Sequence, residues 1–203
     1  MRAIPSVSTD SAIIRRSLDD PSAFAELFDR HARAVGRFAA RRVGEQGGQD
    51  VLSETFLVAF RRRSTFDHAW ESAMPWLLGI ASRLIKKQRA NEARQWRSVV
   101  ASAGVADGWT DGDIARAEDR TDAAATLARL ARDIDALPSR DRETLLLHAW
   151  GDLTYEEIAV ALNVPVGTVR SRLNRVRRRL GAAGAAWGIG REEGRDGRVQ
   201  QGA

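Results

Sequence analysis

The sequence predicts an all-α protein, with two small helical domains joined by a flexible linker. Apolar residues recur every three or four positions through most of the chain, and no segment shows the alternation typical of a β-strand. A stretch rich in Gly, Asp, Ser and Ala, at about 98–122, has too few large apolar residues to bury a core. The predicted domains are therefore 1–97 and 123–180, and we expect the tail, 181–203, to be disordered.

The N-terminal domain is predicted to be a helical bundle from about Asp10 to Arg97. Asp20-Pro21 indicates a helix cap and a first turn, and large apolar side chains then recur at helical spacing as far as Phe38. The pattern next predicts a break at Gly44–Gly48, a helix at Val51–Arg63, a loop at Ser64–Pro75 and a last helix beginning near Trp76.

The C-terminal domain is predicted to contain four helices. Leu137-Pro138-Ser139 separates the first helix from a second, at Arg140–Trp150, which Gly151 closes. Thr154 and Glu157 form a capping box, so a third helix begins there. Asn163 tolerates a left-handed turn, and Pro165 suits the first turn of the fourth helix. That helix has one apolar stripe, at spacings of four, three and four: Val169, Leu173, Val176 and Leu180.

The opposite surface of this last helix carries guanidinium, amide and hydroxyl groups. They belong to Ser171, Asn174, Arg175 and Arg178, flanked by Arg170, Arg172, Arg177 and Arg179. A helix that is apolar on one stripe and basic elsewhere fits the major groove of DNA. Taken alone, the same pattern is also typical of a solvated surface helix. The preceding capped helix and the short turn favour a helix-turn-helix.

Composition narrows the function classes. The chain has 203 residues, a net charge of +5 and no cysteine, which excludes disulfides and thiol chemistry. His31, His68 and His148 lack the spacing of metal ligands, so structural or surface roles are expected and no metal or cofactor is predicted. No apolar run is long enough for a membrane span and no signal core is present, so we expect a cytoplasmic protein. No phosphate loop or nucleophile-and-base spacing indicates an enzyme.

The two domains together resemble the bacterial RNA polymerase sigma factors, specifically the small extracytoplasmic-function group. AFAELFDRH, DVLSETFLVAFRRRSTF and PWLLGIASRLIKKQR are similar to that family's region two, and LPSRDRETLLLHAWGDLTYEEIAVALNVPVGTVRSRLNRVRRRL is similar to its region four. The resemblance implies a promoter-specificity subunit with no catalysis of its own. Its implied partners are promoter DNA, the clamp and flap of the RNA polymerase core, and an anti-sigma factor. The alternative is a stand-alone helix-turn-helix regulator.

The resemblance also implies roles for individual residues. Base edges of the upstream promoter element would be read by Arg170, Ser171, Asn174 and Arg175, and the DNA backbone would be held by Tyr155, Glu156, Pro165, Gly167 and Thr168. The downstream element would contact Trp76, Arg83, Lys86 and Lys87, although Trp76 equally fits a core position. The polymerase clamp would contact Asp50, Glu54 and Phe56.

Overall fold

The computed structural model describes residues 8–102 and 122–181, and every regular element within these ranges is a helix. This confirms the all-α class. The predicted tail and most of the predicted linker lie outside the described residues. The helices are α1 (Asp10–Asp19), α2 (Ala25–Arg62), α3 (Met74–Ser102), α4 (Asp122–Asp135), α5 (Ser139–Gly151), α6 (Tyr155–Leu162) and α7 (Val166–Leu180), with short 3-10 turns at Pro21–Phe24 and Arg63–Thr65. We call α1–α3 the N-terminal module and α4–α7 the C-terminal module.

Helix α2 is a hairpin of two helical arms. Its backbone leaves helical geometry at Gly44, with φ 76° and ψ 172°, a conformation that is essentially restricted to glycine. The arms pack against each other, because the rings of Phe28 and Phe56 lie 4.8 Å apart in an edge-to-face contact. A Cβ at Gly48 would lie 2.8 Å from the backbone of Ala40. The predicted break therefore occurs at Gly44, whereas Gly48 is helical and permits close packing.

Helix α3 is longer than the sequence pattern predicts at both ends. It begins at Met74, with Pro75 in its first turn, where a missing N–H costs nothing. It ends at Ser102, five residues beyond the predicted domain boundary at Arg97. Residues 98–102 contain no Gly or Pro that would stop a helix, so the helix continues into the predicted linker.

A buried carboxylate connects α1 to the rest of the N-terminal module. Asp10 Oδ2 accepts hydrogen bonds from His31 Nε2 at 2.6 Å and from the backbone N–H of Ala73 at 2.8 Å, and Arg30 donates to Oδ1 at 2.6 Å. Burial by itself raises the pKa of Asp10, but the hydrogen bonds from His31 and Ala73 outweigh it and the net pKa is lowered. His31 therefore has a structural role, as the sequence predicts.

The C-terminal module confirms most of the local predictions. The capping box of Thr154 and Glu157 is present, and Asn163 adopts the left-handed conformation with φ 53°. Pro165 immediately precedes α7 instead of lying within it. One prediction needs correction, because Gly151 is helical and Asp152 takes the left-handed position after α5. A Cβ at Gly151 would lie only 2.9 Å from Leu78 Cδ1, so this glycine serves packing instead.

The two modules pack directly against each other. Along this inter-module seam, α2 and α3 lie against α5 and α6. A Cβ at Gly79 of α3 would lie 2.4 Å from the carbonyl oxygen of Ala161 in α6, so the two helices approach almost to backbone contact. Leu78 and Ile158 are fully buried within one continuous hydrophobic core. Among the described helices, none combines the length and apolar character that a bilayer crossing requires.

Candidate nucleic-acid interface

The buried stripe of α7 determines which of its side chains point outward. Val169, Leu173 and Val176 are completely buried against the other helices of the C-terminal module. Because successive helical residues turn by about 100°, the intervening positions project into solvent. The exposed side chains are Arg170, Ser171, Asn174, Arg175, Arg178 and Arg179. We call Arg170, Ser171, Asn174 and Arg175 the polar face of α7; all four are the predicted base-reading residues.

The predicted backbone-contacting residues lie at the starts of α6 and α7. The ring of Tyr155 packs edge-to-face against His148, with ring centroids 5.6 Å apart, and Glu156 beside it is exposed. Gly167 has no neighbouring atom within 4 Å of the position a Cβ would take, so this turn is open to an approaching phosphate. Pro165 caps α7 at its backbone and is exposed, and Thr168 is half-buried. The group is thus divided between the N-terminal ends of two helices, where free backbone N–H groups favour anions.

Three side chains of the polar face already make hydrogen bonds within the protein. Ser171 Oγ donates to the carbonyl oxygen of Thr168 at 2.9 Å, and Arg177 donates to Asn174 Oδ1 at 3.1 Å. Arg175 donates from Nε and Nη2 to the two carboxylate oxygens of Asp141, at 3.1 and 3.0 Å. The sequence pattern misses Asp141, because 34 positions and two turns separate it from Arg175.

The ion pair of Arg175 and Asp141 is asymmetric in exposure. The Asp141 side chain is 5% exposed, whereas the Arg175 side chain is 49% exposed. The hydrogen bonds from Arg175 to Asp141, and then the charge of Asp141, raise the pKa of the Arg175 guanidinium. Arg175 is thus attached to the protein along one edge while the rest of its guanidinium faces solvent.

The predicted downstream-element residues occupy several environments on α3. Lys86 and Lys87 are exposed. Arg83 is also exposed and lies at the edge of the seam, where its Nη1 is 3.5 Å from the carbonyl oxygen of Ala161. Burial, and then the charge of Arg62, lower the pKa of Arg83.

Trp76, at the start of α3, is half-buried. Its ring packs edge-to-face against Phe66, with centroids 5.3 Å apart. Part of the indole thus packs against the core, and its remaining exposed surface is what a base could contact.

The predicted polymerase-binding residues lie on the second arm of α2. Asp50 and Glu54 are exposed, as a surface contact requires. Phe56 is only 6% exposed and packs on Phe28, so its contribution to such a surface is structural support from beneath. The neighbouring Leu57 is 42% exposed and is the apolar side chain that this arm presents to solvent.

Comparisons with known proteins identify the family of each module. The family model described as Sigma-70 region 2 matches residues 27–95, and that described as Sigma-70, region 4 matches residues 127–180. The chain is similar to the RNA polymerase sigma factor NccH of Alcaligenes xylosoxydans xylosoxydans, at 31% identity over 86% of this chain and 94% of NccH. It is equally similar, at 31% identity, to the ECF RNA polymerase sigma factor SigK of Mycobacterium tuberculosis, over 89% of this chain and 96% of SigK.

A solved structure shares the fold. In the co-crystal structure of the sigma factor RpoE with the anti-sigma factor NepR, from Bartonella quintana, the matching chain is 22% identical with a TM-score of 0.54. The match covers 77% of this chain and 93% of that one.

Proposed function

The chain belongs to the sigma-70 family of RNA polymerase sigma factors, in its extracytoplasmic-function group, and from this premise we propose which surfaces perform each step of transcription initiation. Sigma factors are initiation factors and not catalysts, so the functional surfaces are binding surfaces. We assign upstream promoter recognition to the C-terminal module. We assign downstream recognition and polymerase binding to the N-terminal module.

The exposed polar face of α7 is the observation that supports upstream recognition. Its stripe is buried on the α5–α6 scaffold, so α7 can enter a major groove without losing its own packing. Arg170 and Arg175 have the chemistry to pair with guanine O6 and N7, and Asn174 with adenine N6 and N7, each pair contributing about 1–3 kcal/mol of discrimination. The residues at the starts of α6 and α7 hold the flanking phosphates: Tyr155, Glu156, Pro165, Gly167 and Thr168.

The basic side chains of α3 support contact with the downstream element. Lys86 and Lys87 are exposed and attract the phosphate backbone without reading sequence. Trp76 offers its exposed surface to an unstacked base. Arg83 is exposed beside the seam, with its Nη1 3.5 Å from the carbonyl oxygen of Ala161, and adds a further positive charge to this surface.

The polymerase core supplies the free energy that this chain lacks. Opening about ten base pairs costs on the order of 14 kcal/mol, at roughly 1.4 kcal/mol for each stacking step. A small DNA-binding module rarely has that much binding free energy to spare over nonspecific binding. We therefore propose that Asp50 and Glu54, supported by Phe56 from beneath, bind the clamp, while the C-terminal module binds the flap.

Two further partners follow from the family. The fold shared with RpoE, which is bound to the anti-sigma factor NepR in its structure, supports the proposal that an anti-sigma factor also binds this chain. We also propose that the protein acts in the cytoplasm, since transcription takes place beside the chromosome.

Reconstitution with core polymerase tests the proposal. The full chain should form a stoichiometric complex with core on gel filtration, and the complex should start transcription at selected members of a randomised promoter library. A stand-alone regulator would instead bind DNA equally well without core. That alternative is not favoured, because the region 2 match at residues 27–95 would then have no role. Failure to bind core, or transcription without any sequence preference, would contradict the proposal.

A further inference from the structure

Asp141 is a buried acidic residue outside α7 whose carboxylate is directed at the polar face of α7. It lies in the first turn of α5, where its backbone N–H donates to the carbonyl oxygen of Pro138 at 2.9 Å. Its side chain is 5% exposed. The first turn of α5 therefore holds the backbone of Asp141, and the pairing with Arg175 of α7 holds its buried carboxylate.

The geometry of the Asp141–Arg175 pair determines which edge of the guanidinium remains available. A guanidinium has five N–H donors and two edges that can each bind two acceptors, one formed by Nε and Nη2 and the other by Nη1 and Nη2. Asp141 occupies the Nε–Nη2 edge, at 3.1 and 3.0 Å. The Nη1–Nη2 edge is left to pair with the O6 and N7 atoms of a guanine.

We propose that Asp141 is a positioning residue for upstream promoter recognition, which holds Arg175 so that the Nη1–Nη2 edge of its guanidinium is presented to a base. This inference rests on the proposed base-reading role of Arg175. Without Asp141, the half-exposed side chain of Arg175 would sample several rotamers. Fixing one rotamer on DNA would then cost conformational entropy, and this cost would reduce the preference of Arg175 for its base. The positioning also restricts Arg175 to one direction, which favours one base position over neighbouring phosphates.

A purely structural tie between α5 and α7 is the competing explanation for the same contact. Such a tie would affect protein stability and would weaken binding to all DNA sequences alike. Positioning instead affects discrimination at the single base pair that Arg175 reads. The base preference at individual positions therefore separates the two explanations.

The test uses the full chain bound to core polymerase and selects DNA from a library randomised across the upstream element. Compared with the wild type, Arg175→Ala should lower the base preference at one base pair by about tenfold, within the range expected for the loss of one bidentate contact. Asp141→Asn keeps the shape of the side chain and should lower the base preference at that same base pair by about three- to fivefold. The double variant should be no flatter than Arg175→Ala alone, because Asp141 acts only through Arg175.

A matched control removes the effect of charge. Asp135→Asn also deletes one negative charge and one ion pair with an arginine in the same module, since Asp135 pairs with Arg142 at 3.1 Å on the surface. It should raise affinity for all sequences slightly and should leave the preference at every position unchanged. Uniform changes shared by Asp141→Asn and Asp135→Asn are thus assigned to charge alone.

The outcomes distinguish the inference from the function on which it depends. If wild-type complex selects no sequence, or Arg175→Ala flattens no position, the base-reading role fails and the inference fails with it. If Arg175→Ala flattens one position and Asp141→Asn does not, only the inference is overturned.

A second variant covers the case in which Asp141→Asn does not fold. Arg175→Lys retains the charge and lacks the two-edged fork, so it should flatten the same position as Arg175→Ala. Full retention of the preference by Arg175→Lys would overturn the inference, because presentation of a particular guanidinium edge would then be irrelevant.

Discussion

Arg42 on α2 and Glu143 on α5 form a bidentate salt bridge across the inter-module seam, although 101 positions separate them in the sequence. Both Nη atoms of Arg42 donate to the carboxylate oxygens of Glu143, each at 2.6 Å. The Arg42 side chain is 4% exposed and that of Glu143 is 18% exposed. Arg42 Nε is buried, and no described residue accepts its hydrogen bond. The buried guanidinium thus depends on the other module for its neutralisation.

Glu143→Gln should therefore destabilise the protein substantially. Breaking one side of a buried ion pair leaves a charge without compensation, and we expect a loss of about 2–4 kcal/mol in the free energy of unfolding. Urea denaturation measures it. The control is Asp135→Asn, which breaks the exposed pair with Arg142 and should cost less than about 1 kcal/mol. Equal losses for the two variants would show that Arg42 is solvated in solution.

Gly79→Ala should separate the two modules. The added methyl would lie 2.4 Å from the carbonyl oxygen of Ala161, and neither backbone can move without opening the contact between α3 and α6. Small-angle scattering should show a larger radius of gyration for this variant. Gly36→Ala is the matched control, because its nearest neighbour, Leu52 Cδ2, would lie at an ordinary 3.5 Å. Unchanged scattering in Gly79→Ala would contradict the packing described above.

Gly44→Ala should weaken the hairpin of α2. The backbone at φ 76° and ψ 172° is essentially restricted to glycine, so an alanine there should cost about 1–3 kcal/mol of unfolding free energy. Gly36→Ala again provides the comparison and should instead stabilise its helix by up to about 1 kcal/mol. Thermal unfolding of the two variants should shift the midpoint in opposite directions.

The ionisation of Asp10 makes the free energy of unfolding vary with pH in the acidic range. Its pKa in the folded protein lies below its ordinary value of 3.8, so folding favours the ionised form. The stabilisation by ionised Asp10 is complete at a pH above the pKa that Asp10 has in the unfolded chain. It is lost as the pH falls through the lower pKa that Asp10 has in the folded protein. The difference in unfolding free energy between wild type and Asp10→Asn should thus be larger at pH 5 than at pH 3. A difference that grows towards pH 3 would reverse the assigned direction of the shift.

Arg170 and Arg179 should respond differently to alanine substitution. Arg170 lies on the polar face of α7, so Arg170→Ala should relax the preference at one upstream position, by about 1–3 kcal/mol. Arg179 is exposed in the last turn of α7, one helical turn beyond Arg175 and outside the predicted base-reading set. Arg179→Ala should weaken binding evenly across sequences. It should also reduce the slope of the logarithm of the binding constant against the logarithm of salt concentration by about one, because one fewer phosphate is neutralised. Identical specificity profiles would contradict these separate roles.

The sequence by itself determined the features that depend on neighbours close in the chain. The capping box of Thr154 and Glu157, the left-handed Asn163 and the buried stripe of α7 all follow from spacings of three or four residues. Helical periodicity translates such spacings directly into one face of a helix. The same local information predicted the all-α class and the outward position of the polar face of α7. The local pattern placed the end of α3 at about Arg97, where no residue gives a strong helix-stop signal, whereas the helix continues to Ser102.

Only the tertiary structure decided which distant residues meet. Arg42 and Glu143 lie on different modules, and Asp141 and Arg175 lie on helices separated by two turns. Neither pair has a periodic signal, because a charged residue at one position is compatible with many partners or with solvent. No sequence pattern indicates that Gly79 and Gly151 lack a side chain because Ala161 of another helix and the side chain of Leu78, respectively, lie against them. Packing of the two modules determines these contacts, since it brings together surfaces that no local pattern relates.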